Sequence, residues 1–273
     1  MIDVNKLIEL MKYFILGIVQ GVTEPLPISS SGHVVIVREI FSVDIPGLTF
    51  EIIVNFGSLL AIMYVYRTAI IRLMKNFFQY IFFQKTETKD DFRYVLLIII
   101  ATIPIGIIGM LSKHVVATEL SSLTFVGISL VITGGFLWLI RHLRGFKGDE
   151  QITLRDAIII GFVQTIALIP GISRSGATIV AAMFVGLKRE VALRFSFLLY
   201  IPVSIGVTIF SLPELTTINS LMIPLTIAWL AAIMATFFAL KWFIQLMVHG
   251  KLIYFSVYCF IVGTCVIMIN SYF

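Results

Sequence analysis

Six apolar runs constrain this chain more than any other feature, at about 50–66, 94–111, 123–140, 192–211, 221–240 and 252–271. Each is long enough to cross a bilayer. A helix keeps all its backbone bonds inside its own segment, so it is the natural form of such a run in lipid. Charged residues make up only 13% of the 273 residues, and the mean hydropathy is +1.04. A soluble domain would carry about a quarter charged residues. That leaves too little polar surface for a water-exposed globule, and an all-α integral membrane protein is expected. Gln20 and Glu24 break the N-terminal apolar stretch, and no cleavable signal is expected there.

Two further stretches are apolar but interrupted. Residues 7–40 and 157–187 carry Pro, Gly, Ser and ionisable residues at their middles. Each half is read as too short to span, so both stretches are expected as re-entrant helix–loop–helix hairpins. The net charge of +5 comes from Lys and Arg clustered between the runs, at 67–93, 141–155, 188–194 and 241–251. Segments 42–49 and 212–220 have no Lys or Arg, and 112–122 has only Lys113. The basic segments are therefore expected as cytoplasmic loops. No basic-plus-aromatic array is present, so nucleic acid is not an expected partner.

An internal repeat organises the chain. Gly17, Gln20, Ser29, Ser31 and Gly32 recur as Gly161, Gln164, Ser173, Ser175 and Gly176, at a constant offset of 144. Each repeat holds one hairpin and three spans, and an odd number of spans inverts the second copy. The expected architecture is a single membrane domain, 1–273, with six transmembrane helices and two re-entrant hairpins in an inverted-topology repeat. Repeat one covers about 1–141 and repeat two about 142–273.

Ionisable groups at membrane depth cost about 2.5–3.5 kcal/mol on insertion scales, so they need a reason to be there. Glu24, His33 and Arg174 all fall at hairpin tips. A purely structural ion-pair network is one explanation and a functional site the other. Gln20 and Glu24 are four apart and share a helix face. Such a pair suits a hard cation or proton transfer, although an ordinary helix terminus would look the same. Ser29, Ser30 and Ser31 with Gly32 and His33 open one helix; Ser173, Arg174, Ser175 and Gly176 open its counterpart. Capping explains one serine at each site. Unpaired N–H groups at two such ends, with an arginine fork, also suit phosphate. Glu51 and Asn55 are secondary candidates that could support the first hairpin. Asp156 is expected to cap the helix after it, Gln164 to mirror Gln20 structurally, and Cys259 and Cys265 to be packed or lipid-facing.

The segment QGVTEPLPISSSGH (20–33) resembles the first signature of the undecaprenyl-diphosphate phosphatases, the bacitracin-resistance family, and LIPGISRSGAT (168–178) resembles the second. FEIIVNFGSLLA (50–61) and DAIIIGFVQ (156–164) also fit. The resemblance implies hydrolysis of undecaprenyl diphosphate, which recycles the lipid carrier for cell-wall polymers and confers bacitracin resistance. It also implies Mg2+ or Ca2+, a site open to the outer face of the bacterial cytoplasmic membrane, and polyprenyl diphosphate and membrane lipids as partners, with a homodimer admitted. Glu24, Ser30, His33 and Arg174 are the expected catalytic residues. Substrate-binding positions are Gln20, Ser29, Ser31, Gly32, Ser173, Ser175, Gly176 and Thr178, and Glu24 with Gln20 would hold the metal. Gln20 stands where the motif also admits Glu, and Asn55 where Gln or His is expected. Ser30 is a nucleophile or water-positioning group, and His33 an acid/base or itself the nucleophile. Another lipid-phosphatase signature, Ser-Arg-x5-His-x3-Asp, fails because Val180 stands at its histidine. A polyprenyl-phosphate flippase is the rival reading.

Overall fold

The structure, a computed structural model, describes residues 4–43, 49–119, 122–211 and 221–272. The Lys- and Arg-free connections 44–48 and 212–220 lie outside the described residues, so the outer loops expected there are not characterised.

The first interrupted stretch forms α1 (Val4–Thr23) and α2 (Ser30–Ile40), which pack on each other. Pro25 and Pro27 follow Glu24 and stop the helix, because proline lacks an N–H and its ring clashes with the preceding turn. Ser29 restarts it: its hydroxyl accepts from the Gly32 amide at 3.2 Å while its own backbone sits at φ 70°. The first half is longer than the sequence suggested, since 20 residues rise about 30 Å. Lys6, Glu9 and Lys12 occupy its opening turns, and burial begins only at Tyr13.

Next come α3 (Thr49–Val65) and α4 (Arg67–Phe83), bent 77° from each other. Segment 67–93, expected as a loop, is thus largely helical. Its charges hid a helical pattern: Leu73 is buried, Phe77 stacks on Phe92 with ring centroids 5.2 Å apart, and Tyr80 meets the same ring tilted, at 4.6 Å. A short 3-10 turn (Thr86–Thr88) leads into α5 (Lys89–Glu119) and then α6 (Leu123–Ile140).

The second interrupted stretch forms α7 (Leu154–Val163), a 3-10 turn (Gln164–Leu168) and α8 (Arg174–Phe184). Three long helices close the chain: α9 (Arg189–Ser211), α10 (Met222–Val248) and α11 (Ile253–Tyr272). Among the described residues there is no β-strand. Five helices, α5, α6, α9, α10 and α11, are long and apolar enough to cross a membrane, and α3 with α4 makes a sixth if the bent pair is one span. Ile99, Ile103, Met234 and Phe238 stay exposed on α5 and α10, as lipid-facing side chains do in a multi-pass protein.

The two halves interlock through their matched glycines. A Cβ at Gly17 of α1 would lie 2.2 Å from the Ala228 carbonyl oxygen of α10. One at Gly161 of α7 would lie 2.6 Å from the Ala101 carbonyl oxygen of α5. Without a hydrophobic drive in lipid, such close approach through small residues is what holds helices together.

Ion pairs anchor both interrupted stretches. Arg38 of α2 reaches Glu51 of α3 at 2.6 Å, as expected of a residue supporting the first hairpin. Lys147 reaches Asp156 of α7 at 3.0 Å. Asp156 is not itself the cap. Thr153 is, and Asp156 returns a bond to the Thr153 amide at 2.9 Å to complete a capping box. Burial pushes the Asp156 carboxyl up, but the Thr153 amide and the Lys147 ammonium outweigh it and hold the group below its ordinary value. Cys259 is buried and Cys265 exposed, and both are free.

Candidate active site

The breaks of the two hairpins meet. The Gly171 amide of the second lies 3.5 Å from the Ser31 hydroxyl of the first, and the Ser175 hydroxyl donates to the Leu26 carbonyl at 3.1 Å. Thr133 of α6 braces the second tip, its hydroxyl donating to the Gly171 carbonyl and accepting from the Ser173 amide, each at 3.3 Å. Gly171 has φ +91°, and a Cβ there would lie 2.8 Å from the Val126 carbonyl oxygen, so both conformation and space require glycine.

At this junction four of the expected residues form one network around Glu24, which is 9% exposed. Arg174 Nη2 donates to Glu24 Oε1 at 2.7 Å. Gln20 Nε2 donates to Glu24 Oε2 at 2.8 Å, and Ser30 Oγ makes a short bond to the same oxygen. The Ser30 contact is one that a serine nucleophile makes with its base, or that a base makes with an orienting hydroxyl. Arg174 lies 150 residues from Glu24 in sequence, so only the meeting of the tips creates the pair.

His33 is held elsewhere. Its Nδ1 lies 2.7 Å from the Ser29 carbonyl and its Nε2 2.8 Å from the Tyr258 hydroxyl. A carbonyl can only accept, so Nδ1 carries a proton, and Nε2 is the nitrogen that faces Tyr258. His33 still shares a face of α2 with Ser30, one turn away.

The remaining expected residues do structural work. Ser29 and Ser173 cap α2 and α8, the latter accepting from the Gly176 amide at 3.0 Å. Ser31 and Ser175 join the tips as described. Gly32 and Gly176 let the breaks pack closely: a Cβ at Gly32 would lie 3.1 Å from the Gly171 Cα, and one at Gly176 3.0 Å from the Ser173 Cβ. Thr178 donates back to the Arg174 carbonyl at 3.0 Å and bonds Ser196 of α9.

Sequence reasoning missed what holds the arginine. The Arg174 guanidinium carbon lies 4.0 Å from the centroid of the Tyr200 ring, and Nη1 reaches Ser204 Oγ at 3.4 Å. Tyr200 in turn donates to Asn55 Oδ1 at 3.0 Å. Asn55 therefore serves the site through Tyr200 rather than through the first hairpin. Tyr200 and Ser204 sit in an apolar span with no repeat match, so nothing in the sequence marked them.

The Gln20–Glu24 pair does not fit a protein-held divalent cation. Gln20 turns its nitrogen, not its oxygen, toward Glu24, and both carboxylate oxygens already accept bonds. Among the described residues no group of three or more His, Cys, Asp or Glu gathers. A hard cation takes six or more oxygen ligands, and where a protein offers few carboxylates the rest come from water and substrate phosphates.

Fold and site together define a helical multi-pass membrane protein with a partly buried arginine–carboxylate–serine centre suited to phosphorylated ligands. Residues 13–265 match the family described as bacitracin resistance protein BacA, and the chain belongs to it. It is 48% identical over 264 residues to an undecaprenyl-diphosphatase of Oceanobacillus iheyensis, covering 95% of this chain and 96% of that protein. It is 50% identical over 257 residues to undecaprenyl-diphosphatase 2 of Bacillus thuringiensis, covering 93% and 95%. Undecaprenyl-diphosphatase 1 of Bacillus licheniformis is 49% identical over 263 residues, covering 95% and 97%.

Proposed function

We propose that this protein hydrolyses undecaprenyl diphosphate to undecaprenyl phosphate and inorganic phosphate, recycling the carrier lipid of cell-wall synthesis. The observation that carries the reading is the contact of Arg174 with Glu24 across the two tips, with Ser30 bonded to the other oxygen of the same carboxylate. The arginine fork binds phosphoryl oxygens and offsets charge as the transition state develops. Glu24 accepts the proton of the attacking group. His33 is the proton donor beside the leaving prenyl phosphate. The Mg2+ or Ca2+ implied by family resemblance belongs, in this reading, with the substrate diphosphate, whose oxygens supply the ligands the protein lacks.

We place the protein in the bacterial cytoplasmic membrane with the site open to the outer face. Two observations support this. The basic clusters at 67–93, 141–155 and 188–194 fall on one side of a consistent threading. The first helix of each half also packs on a helix of the other half, α1 on α10 and α7 on α5, an exchange that an inverted repeat accommodates.

The test is phosphate release from C15 and C55 prenyl diphosphates by purified protein, with and without a chelator. Release is expected from the unmodified protein, and a loss of about 10³-fold in Arg174→Ala. Movement of the lipid across vesicles with no inorganic phosphate would replace this reading with a transporter.

A further inference from the structure

Gln164 is 1% exposed, and its Oε1 is one of the few buried side-chain oxygens among the described residues with no hydrogen-bond partner. Its orientation is fixed. Nε2 donates to the Ala101 carbonyl at 2.6 Å. That carbonyl can only accept, so the amide cannot be turned over. Gln164 lines a small cavity together with Glu24, Arg174, Ser175, Thr178 and Tyr200. A buried acceptor without a donor costs about 1–3 kcal/mol, which a protein tolerates where a ligand supplies the bond.

The repeat shows why this oxygen stands alone. Gln20 has Glu24 four residues on and donates to it at 2.8 Å. Gln164 has Leu168 at that position, and its amide nitrogen goes to α5 instead.

The chemistry of the partner follows from what surrounds it. A phosphate oxygen is an acceptor and cannot bond an amide oxygen. A hydrated cation is too large, because the cavity measures ≈ 10 Å³, the room that one water needs. A water donates two hydrogens, and among the lining residues Glu24 brings a carboxylate acceptor and Gln164 an acceptor with no other partner. A water held by both keeps a lone pair free.

We propose that Gln164 and Glu24 hold between them the water that attacks the terminal phosphorus. This rests on the hydrolase reading above. The water oxygen bonds to phosphorus while the bond to the bridging oxygen breaks. The electron pair of that bond leaves on the prenyl phosphate, and one water proton passes to Glu24. Ser30 orients Glu24 and forms no bond to phosphorus. Gln164 is a positioning residue, as glutamines are where they orient the attacking water in other phosphoryl transfers.

Gln164→Met keeps the side-chain length and removes the acceptor. We expect kcat to fall about 100-fold with KM held within about threefold, the split that loss of a transition-state contact produces. A kcat within about threefold of the parent would overturn the proposal. Should that variant not fold, the unmodified protein still decides. With a terminal phosphoryl group made chiral by thiophosphate and oxygen isotopes, one direct displacement inverts configuration at phosphorus. Retention, the mark of a phosphoryl-enzyme on Ser30 or His33, would overturn the proposal. If the unmodified protein releases no phosphate at all, the hydrolase reading fails first, and that result is distinct from either outcome.

Discussion

The two interrupted hairpins share a backbone plan and divide the chemistry. At the constant offset of 144, caps match caps (Ser29 and Ser173), cross-linking serines match (Ser31 and Ser175) and close-packed glycines match (Gly32 and Gly176). The positions proposed to carry the chemistry do not match. Glu24 is paired with Leu168, Ser30 with Arg174 and His33 with Ala177. The first hairpin carries the carboxylate, hydroxyl and imidazole, and the second carries the cation. Two copies of either tip would place like charges together at membrane depth, where nothing would offset them. The repeat therefore preserves the residues that shape the junction and varies the charged and polar ones that line it.

That division can be broken directly. Glu24→Leu should lower turnover about 10³-fold, since it removes the base and leaves Arg174 without its carboxylate. Adding Leu168→Glu moves a carboxylate to the matched position of the other tip, where the residue matching Ser30 is Arg174 itself. We expect no recovery in a phosphate-release assay. Recovery to within about tenfold of the parent, or about 1.4 kcal/mol of barrier, would show the two hairpins to be interchangeable.

Matched residues were legible in the sequence and unmatched ones were not, for a physical reason. A helix break that packs closely needs Gly, Ser and Pro at fixed spacing, and these stand out in an apolar chain. Ser29, Ser31, Ser173 and Ser175 were found this way, although as binding residues. In the structure their hydroxyls are committed to caps and to the junction. Glu24 and Arg174 were found because charge at membrane depth demands an account. Tyr200, Ser204 and Tyr258 carry neither signal. An aromatic or hydroxyl residue inside a span is ordinary, and only coordinates bring Tyr200 to Arg174 or Tyr258 to His33. Helix α4 is masked by its charges: Arg67, Arg72 and Lys75 mark the segment as a basic connection, while its apolar residues recur at helical spacing.

The hold on the arginine sharpens the contrast, because an aromatic face meets a guanidinium in the second hairpin, where the first sets the His33 ring beside Tyr258. The Tyr200 ring faces the guanidinium at 4.0 Å while its hydroxyl is tied to Asn55 at 3.0 Å. A desolvated cation–π contact contributes about 0.5–2 kcal/mol, so Tyr200→Leu should raise KM roughly 2- to 30-fold. Tyr200→Phe keeps the ring and should stay within about threefold of the parent, losing only the bond to Asn55. Equal effects in the two variants, read from KM for a C15 substrate, would mean that the ring does not hold Arg174.

The smallest effect expected concerns how the hairpins are anchored. The first is tied at its exit by Arg38 to Glu51, and the second at its start by Lys147 to Asp156. Asp156 also closes the capping box with Thr153. Its folded carboxyl titrates below its ordinary value. The stability this gives is therefore present in full above the unfolded value, near 3.9. It disappears as pH falls through the folded value, when the protonated group no longer pairs with Lys147. Asp156→Asn should lower stability by about 1 kcal/mol at neutral pH, the usual worth of a cap, with the difference from the parent shrinking in acid. Phosphate release should stay within about threefold, because Asp156 touches none of the residues around Glu24. Thermal unfolding in detergent at neutral and acid pH checks the sign. A gap that widened in acid would mean that the carboxylate, not its loss, strains the start of the second hairpin.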